Sequence, residues 1–94
     1  MTVKYSPSFL VIAKKANVRI RSKLEERIAV FSKDPYNPQL NNHPLKERYH
    51  GYRSIDVTSD WRAIYHEVKI GKDTVAYFVA IGTHEELYEI ADTQ

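Results

Sequence analysis

The apolar residues of this chain change rhythm along its length, from helical spacing in the first part to alternation in the last. Residues 2–5 read as a short strand with Val3 and Tyr5 on one side. Ser6-Pro7 supplies a helix start, since serine caps free amides and proline suits the first helical position. Phe9, Ile12, Ala13, Ala16 and Ile20 recur at helical spacing, as do Leu24, Ile28 and Phe31. Asn17 either divides this stretch into a helical hairpin or marks a bend in one helix. Asp34-Pro35 ends it, because the residue before a proline is pushed out of helical geometry. Residues 35–51 are polar and turn-rich, too long for a mere connection, so a functional loop is expected there, with a helical turn around residues 45–49.

Three strands are predicted next. In residues 53–58, Ile55 and Val57 point one way and Ser54, Asp56 and Thr58 the other. Ser59-Asp60 turns the chain into residues 61–69, apolar on both faces as a central strand should be. Gly71-Lys72-Asp73 turns it again into residues 74–81, where Val75, Tyr77, Val79 and Ile81 alternate with Ala76, Phe78 and Ala80. Gly82-Thr83 closes that strand, and Thr83 with Glu86 has the spacing of a capping box. The pattern predicts an α+β fold ordered β-α-α-β-β-β. Its four-stranded antiparallel sheet has two N-terminal helices packed on one face and a short C-terminal helical turn, leaving the other face for a ligand.

The 94 residues are enough for one domain spanning 1–94 and too few for two cores. With no cysteine, disulfides and cysteine-ligated zinc are excluded, and stability must come from packing, helped by any partner. No segment approaches the roughly 20 apolar residues of a membrane helix. Met1-Thr2-Val3-Lys4-Tyr5 lacks the apolar core of a secretion signal, so the chain is expected to be cytoplasmic and unprocessed. The net charge of +2 hides an asymmetry: +6 over residues 1–50 and −4 over residues 51–94. Most of the excess runs through Lys14, Lys15, Arg19, Arg21, Lys23, Arg27 and Lys33. Such a block suits a polyanion such as RNA, although a solvated helix face or a site for an acidic protein gives the same pattern.

Residues 39–88 contain Asn42-His43-Pro44-Leu45, Gly51-Tyr52-Arg53, the run from Ile55 through Asp60-Trp61-Arg62 to Tyr65, and Gly82-Thr83-His84-Glu85-Glu86-Leu87-Tyr88. In this order the elements resemble the RelE superfamily of type II toxin–antitoxin systems, most closely its YafQ-like branch. The first 38 residues match only in layout. The resemblance implies a toxin that enters the ribosomal A site and cuts the mRNA there, with a cognate antitoxin wrapped around its concave face. The free toxin is then expected to be a monomer, and a hetero-oligomer with its antitoxin.

Metal-free RNA cleavage uses the substrate's own 2′-hydroxyl as nucleophile, so two proton-transfer groups and a cation suffice. No metal or cofactor is expected. Histidine suits the proton transfers, and the chain has four, at 43, 50, 66 and 84. His84 matches the catalytic histidine of the YafQ-like Gly-Thr/Ser-His motif, at a helix start that favours a nearby phosphate; alone it would pass for an exposed cap residue. His43 occupies the loop position of a functional histidine in the YafQ branch and a glutamate in the YoeB branch; otherwise it is a turn residue before Pro44. By analogy His43 is assigned as base and His84 as acid. Arg62 matches an arginine of RelE-like and YoeB-like toxins and can grip two phosphate oxygens, though strand arginines are usually surface charges.

Asp60 matches the acidic residue of the Asp-Trp motif and could orient a histidine or Arg62, or simply cap its turn. Tyr88 matches the family's terminal aromatic, suited to stacking on an unpaired base. Arg53 could assist with RNA, although parity sets it beside Ile55 and Val57. Lys14, Lys15, Arg19 and Arg21 are the candidate RNA-backbone contacts. The chain also departs from the YafQ pattern: Ser54 and Asp56 stand where that branch has an acid and a histidine, leaving Asp56 as a weak base or orienting carboxylate. His50, His66, Tyr49 and Tyr52 are assigned to packing. Two rivals share the architecture: a ParE-type toxin that poisons gyrase, and an inactive RNA-binding relic.

Overall fold

The computed structural model describes residues 1–87. Ser6 opens helix α1 (Pro7–Lys15): its hydroxyl accepts from the Phe9 amide at 3.1 Å, and its own amide donates to the Phe78 carbonyl at 2.9 Å. Asn17 divides the helical stretch, its side chain accepting from Ile20 N at 3.0 Å to start helix α2 (Val18–Lys33). The helices therefore form a hairpin, and Ala16 with Asn17 is the corner.

The sheet has five strands in the order β1-β5-β4-β3-β2, with β1 Thr2–Tyr5, β2 His43–Pro44, β3 Arg53–Asp56, β4 Trp61–Ile70 and β5 Asp73–Thr83. This corrects the four-stranded antiparallel expectation in two respects. β1 lies parallel to β5, Thr2 opposite Val75 and Tyr5 opposite Phe78. A parallel neighbour requires a long crossover, and here the helices and the other strands provide it. The loop also supplies a two-residue edge strand, pairing His43 with Ser54 and Pro44 with Arg53. β3 ends earlier than expected, because Val57 N and Thr58 N both donate to the Trp61 carbonyl, at 2.9 and 3.3 Å, and close the turn. β5 runs on through Thr83, and residues 84–87 form the helical turn.

The helices cover one face of the sheet. Phe9, Leu24 and Phe31 pack there against Ile55, Val57, Ala63, Tyr65, Ala76, Phe78 and Ile81. The Phe31 ring meets Tyr65 and Phe78 edge-on at 4.9 and 5.3 Å; such pairs contribute about 0.5–1.5 kcal/mol each beyond the area they bury. The simple alternation expected of the last strand fails at one point. Ile64 pairs with Ala80 but Tyr65 pairs with Phe78, so Val79 is an extra residue in β5. This bulge reverses parity and brings Ile81 to the core side with Phe78, not with Tyr77. The predicted loop holds a short helical turn at Glu47–Tyr49 and another at Pro38–Leu40, whose Leu40 is fully buried under the sheet.

Candidate active site

Strand register places several of the candidate residues on the face turned away from the helices. Asp56, Arg62 and Gly82 form one cross-strand row; His43, Ser54, Ile64 and Ala80 form the next. With strands about 4.8 Å apart and alternate residues about 6.6 Å apart along a strand, the Cα atoms of His43 and Arg62 are roughly 12 Å apart. Side chains rising from both can converge on one phosphodiester.

His43 is held by its neighbours rather than by its ring alone. Asn42 donates from Nδ2 to the Pro35 carbonyl (2.9 Å) and to the Tyr65 hydroxyl (2.7 Å), and its Oδ1 accepts from Arg53 Nε at 2.7 Å. The loop is thereby pinned to the core. Burial pushes the Tyr65 phenol above its ordinary value, outweighing the Asn42 bond and Arg53, which pull it down. Asn41 adopts the left-handed conformation, φ 48°, and its carbonyl lies 2.9 Å from His43 Nδ1. A carbonyl only accepts, so Nδ1 carries the proton, and in the neutral ring Nε2 holds the lone pair. That tautomer is the one a general base needs.

Arg62 is more constrained than its position in the strand suggests. Nη1 donates to the carbonyls of Thr58, Ser59 and Trp61, at 3.0, 3.1 and 3.2 Å, wrapping the β3–β4 turn. Nε lies 3.0 Å from Asp56 Oδ1, with the two side chains 14% and 26% exposed. That oxygen is buried and accepts no aligned hydrogen bond: distance makes the pair an ion pair, and direction denies it the bond. Ser54 Oγ, two residues along the same face, is also buried without a partner. An unpaired buried polar group costs about 1–3 kcal/mol, and Ser54 Oγ is such a group, whereas the Asp56 carboxylate beside it keeps its ion pair with Arg62.

His84 begins the helical turn that follows β5. Thr83 and Glu86 form the expected capping box: Glu86 N donates to Thr83 Oγ1 at 3.1 Å, while Thr83 N and Oγ1 donate to Glu86 Oε1 at 2.9 and 3.0 Å. These bonds hold the Glu86 carboxyl below its ordinary value. The His84 amide donates to the Asp60 carbonyl at 2.7 Å, so the turn that Arg62 wraps also anchors His84. A Cβ at Gly82 would lie 3.3 Å from Glu86 Oε1 and 3.4 Å from Leu87 Cγ, so the turn closes directly over that glycine.

His43, Asp56 and Arg62 thus share one face, and Asp60 and His84 meet at its end. Arg53 does not join them. It lies on the helix side, bonded to Asn42 and with its guanidinium 5.2 Å from the Tyr36 ring centroid. Lys14, Lys15, Arg19 and Arg21 are exposed around the helical corner; nearby Ile12 shares a cleft with Trp61, Gly82 and Leu87, which sets that corner at the His84 end of the sheet. Arg27 turns inward to the Val57 carbonyl and Gln39. Tyr88 lies outside the described residues. Asn42 and Ser54 take roles here that the sequence did not announce. Asn42 was visible only as part of a motif, and Ser54 only as a departure from one.

The family model described as "Bacterial toxin of type II toxin-antitoxin system, YafQ" matches residues 1–89, including the helices where motifs alone carried no resemblance. The crystal structure of YafQ from E. coli is 28% identical, with a TM-score of 0.73 over 92% of this chain and 96% of that one. The E. coli DinJ–YafQ toxin–antitoxin complex contains a chain 28% identical, TM-score 0.68, over 92% of this chain and 94% of that one. A YoeB/ParE toxin from Agrobacterium tumefaciens, 20% identical with a TM-score of 0.72 over 89% and 99%, shares the fold. No curated protein matches the sequence. The chain belongs to the YafQ family of bacterial toxins of type II toxin–antitoxin systems.

Proposed function

We propose that this toxin is a ribosome-dependent endoribonuclease that cleaves mRNA in the A site without a metal, and that a cognate antitoxin inhibits it. The observation that carries the reading is His43 held with Nδ1 2.9 Å from the Asn41 carbonyl, on the same face as Arg62 and across the strand from an unpaired Ser54 hydroxyl. Nε2 of His43 takes the proton of the 2′-hydroxyl, whose oxygen attacks the adjacent phosphorus. His84 protonates the departing 5′-oxygen, giving a 2′,3′-cyclic phosphate and a free 5′-hydroxyl. With Nε and Nη1 of Arg62 committed, Nη2 is the arm it offers to the phosphate, so it supplies charge rather than a full fork. Asp56 orients Arg62. The DinJ–YafQ complex supports an antitoxin partner.

The test is incubation of purified toxin with mRNA-programmed ribosomes. A-site cleavage that is lost in His43→Ala and His84→Ala supports the proposal. Intact mRNA together with falling gyrase supercoiling transfers the chain to the ParE-type reading. One observation favours the inactive RNA-binding relic, namely the commitment of most of Arg62 to its own turn. Induced expression separates that reading, since an inactive relic is tolerated as well as its His84→Ala variant.

A further inference from the structure

The face that carries the proposed cleavage site continues beyond it into an aromatic row. Tyr77 pairs with His66 on one side and with Lys4 on the other, all three on the face away from the helices. The Tyr52 ring lies tilted against His66 at 4.6 Å with an interplanar angle of 32°, and His66 meets Tyr77 edge-on at 5.9 Å and 61°. Beside them a hollow of about 360 Å³ is lined by Lys4, His66, Val68, Ile70, Val75 and Tyr77. Among the described residues no acidic side chain lines it. Ile70 at its rim is 54% exposed, so part of this apolar lining meets solvent.

We infer that this hollow is a base-stacking subsite for single-stranded RNA, taking a nucleobase of the strand that crosses the proposed cleavage site. The inference rests on that function and deepens it. His66 is four residues from Arg62 on β4, about 13 Å along the strand, so the subsite holds a base beyond the scissile bond rather than the reacting nucleotides. Tyr77 and His66 offer π-surface to any base, and Lys4 offers a charge to the phosphate beside it. Among the described lining residues Lys4 meets no facing carboxylate, which suits an anionic partner, and the rings of Tyr77 and His66 suit a nucleobase in particular.

Programmed ribosomes carrying 2-aminopurine at successive mRNA positions, with a 2′-deoxy substitution at the cleaved nucleotide, read the subsite without cleavage. Wild-type toxin should quench one position outside the cleaved pair. Tyr77→Phe should retain that quench, whereas Tyr77→Leu, apolar but without a ring, should weaken toxin binding about tenfold. In cleavage assays on unmodified mRNA, Tyr77→Leu should raise KM by a similar factor and leave kcat within about twofold. Quenching that does not depend on the Tyr77 ring overturns the subsite. So does unchanged RNA binding by Tyr77→Leu with weaker antitoxin binding, which would assign the face to a protein. Parallel cleavage of 2′-hydroxyl mRNA by the wild type keeps a failed subsite distinguishable from a failed nuclease.

Discussion

The backbone amide of His84 donates to the backbone carbonyl of Asp60 at 2.7 Å, joining the end of the last strand to the turn between β3 and β4. Neither side chain makes this bond. Any residue but proline could preserve it, and the position of the His84 imidazole therefore depends on how firmly the turn is held.

Arg62 holds that turn. A lysine has one nitrogen and cannot serve Asp56 and three carbonyls together. Arg62→Lys should destabilise the fold by about 1–3 kcal/mol in urea denaturation, and cleavage should fall further than the unfolded fraction explains. Arg62→Gln should cost more alone than combined with Asp56→Asn, because the single change strands a partly buried carboxylate. Additive losses would show that the pair is not coupled.

Thr83→Ala removes the hydroxyl half of the capping box, leaving only the backbone Thr83 N–H on Glu86 Oε1, and should lower stability by about 1 kcal/mol. The box also has a pH signature. The folded Glu86 carboxyl sits below its ordinary 4.5, so its contribution is present above that pH and disappears as pH falls through the lower folded value. Acid titration of Glu86→Gln should lack this component while the wild type shows it.

Asn42→Ala should be costlier than an ordinary loop substitution. It leaves Arg53 Nε and the Tyr65 hydroxyl without their partner and releases the segment presenting His43. A loss of about 1–3 kcal/mol is expected by thermal or chemical denaturation, together with a drop in kcat for mRNA cleavage. An unchanged kcat would mean that His43 needs no such anchoring.

Ser54→Ala deletes a hydroxyl that is buried and unpartnered. Stability should stay level or rise slightly, since a desolvated group is removed without breaking a bond. If that hydroxyl meets the substrate, cleavage falls in the same variant, and the two measurements move in opposite directions.

At alkaline pH the protein should weaken through two phenols, buried Tyr65 and half-buried Tyr5. Burial raises both Tyr5 and Tyr65 above 10.0, so the neutral form is favoured in the fold. Their contribution is complete below that value and is lost as pH climbs through the higher folded values. Tyr5→Phe should flatten part of the alkaline decline in a stability-versus-pH series.

Local signals were the legible ones. Ser6-Pro7 and the Thr83/Glu86 pair act within one helical turn, so composition alone sufficed to place them. Strand alternation set Arg62 opposite Ala63 and Tyr65, and Arg53 beside Ile55, as the structure has them. What escaped was non-local. Nothing in residues 2–5 says that Val75 to Phe78 is their partner, or that the direction is parallel. The bulge at Val79 is equally silent, because an alternating apolar run looks the same with one residue unpaired. Asn42 makes its bonds only once the loop, β3 and β4 have met. Arg62's commitment to its own turn depends on side-chain geometry that residue spacing does not encode.

The parallel contact between the first and last strands ties assembly to the direction of synthesis. β1 has no strand to lie against until β5 follows, after both helices and three other strands have been made. Such distant pairings are slow to form because loop closure must precede their reward. A nascent toxin therefore cannot complete this sheet, or bring His84 to Asp60, until β5 and the residue that follows it have left the ribosome.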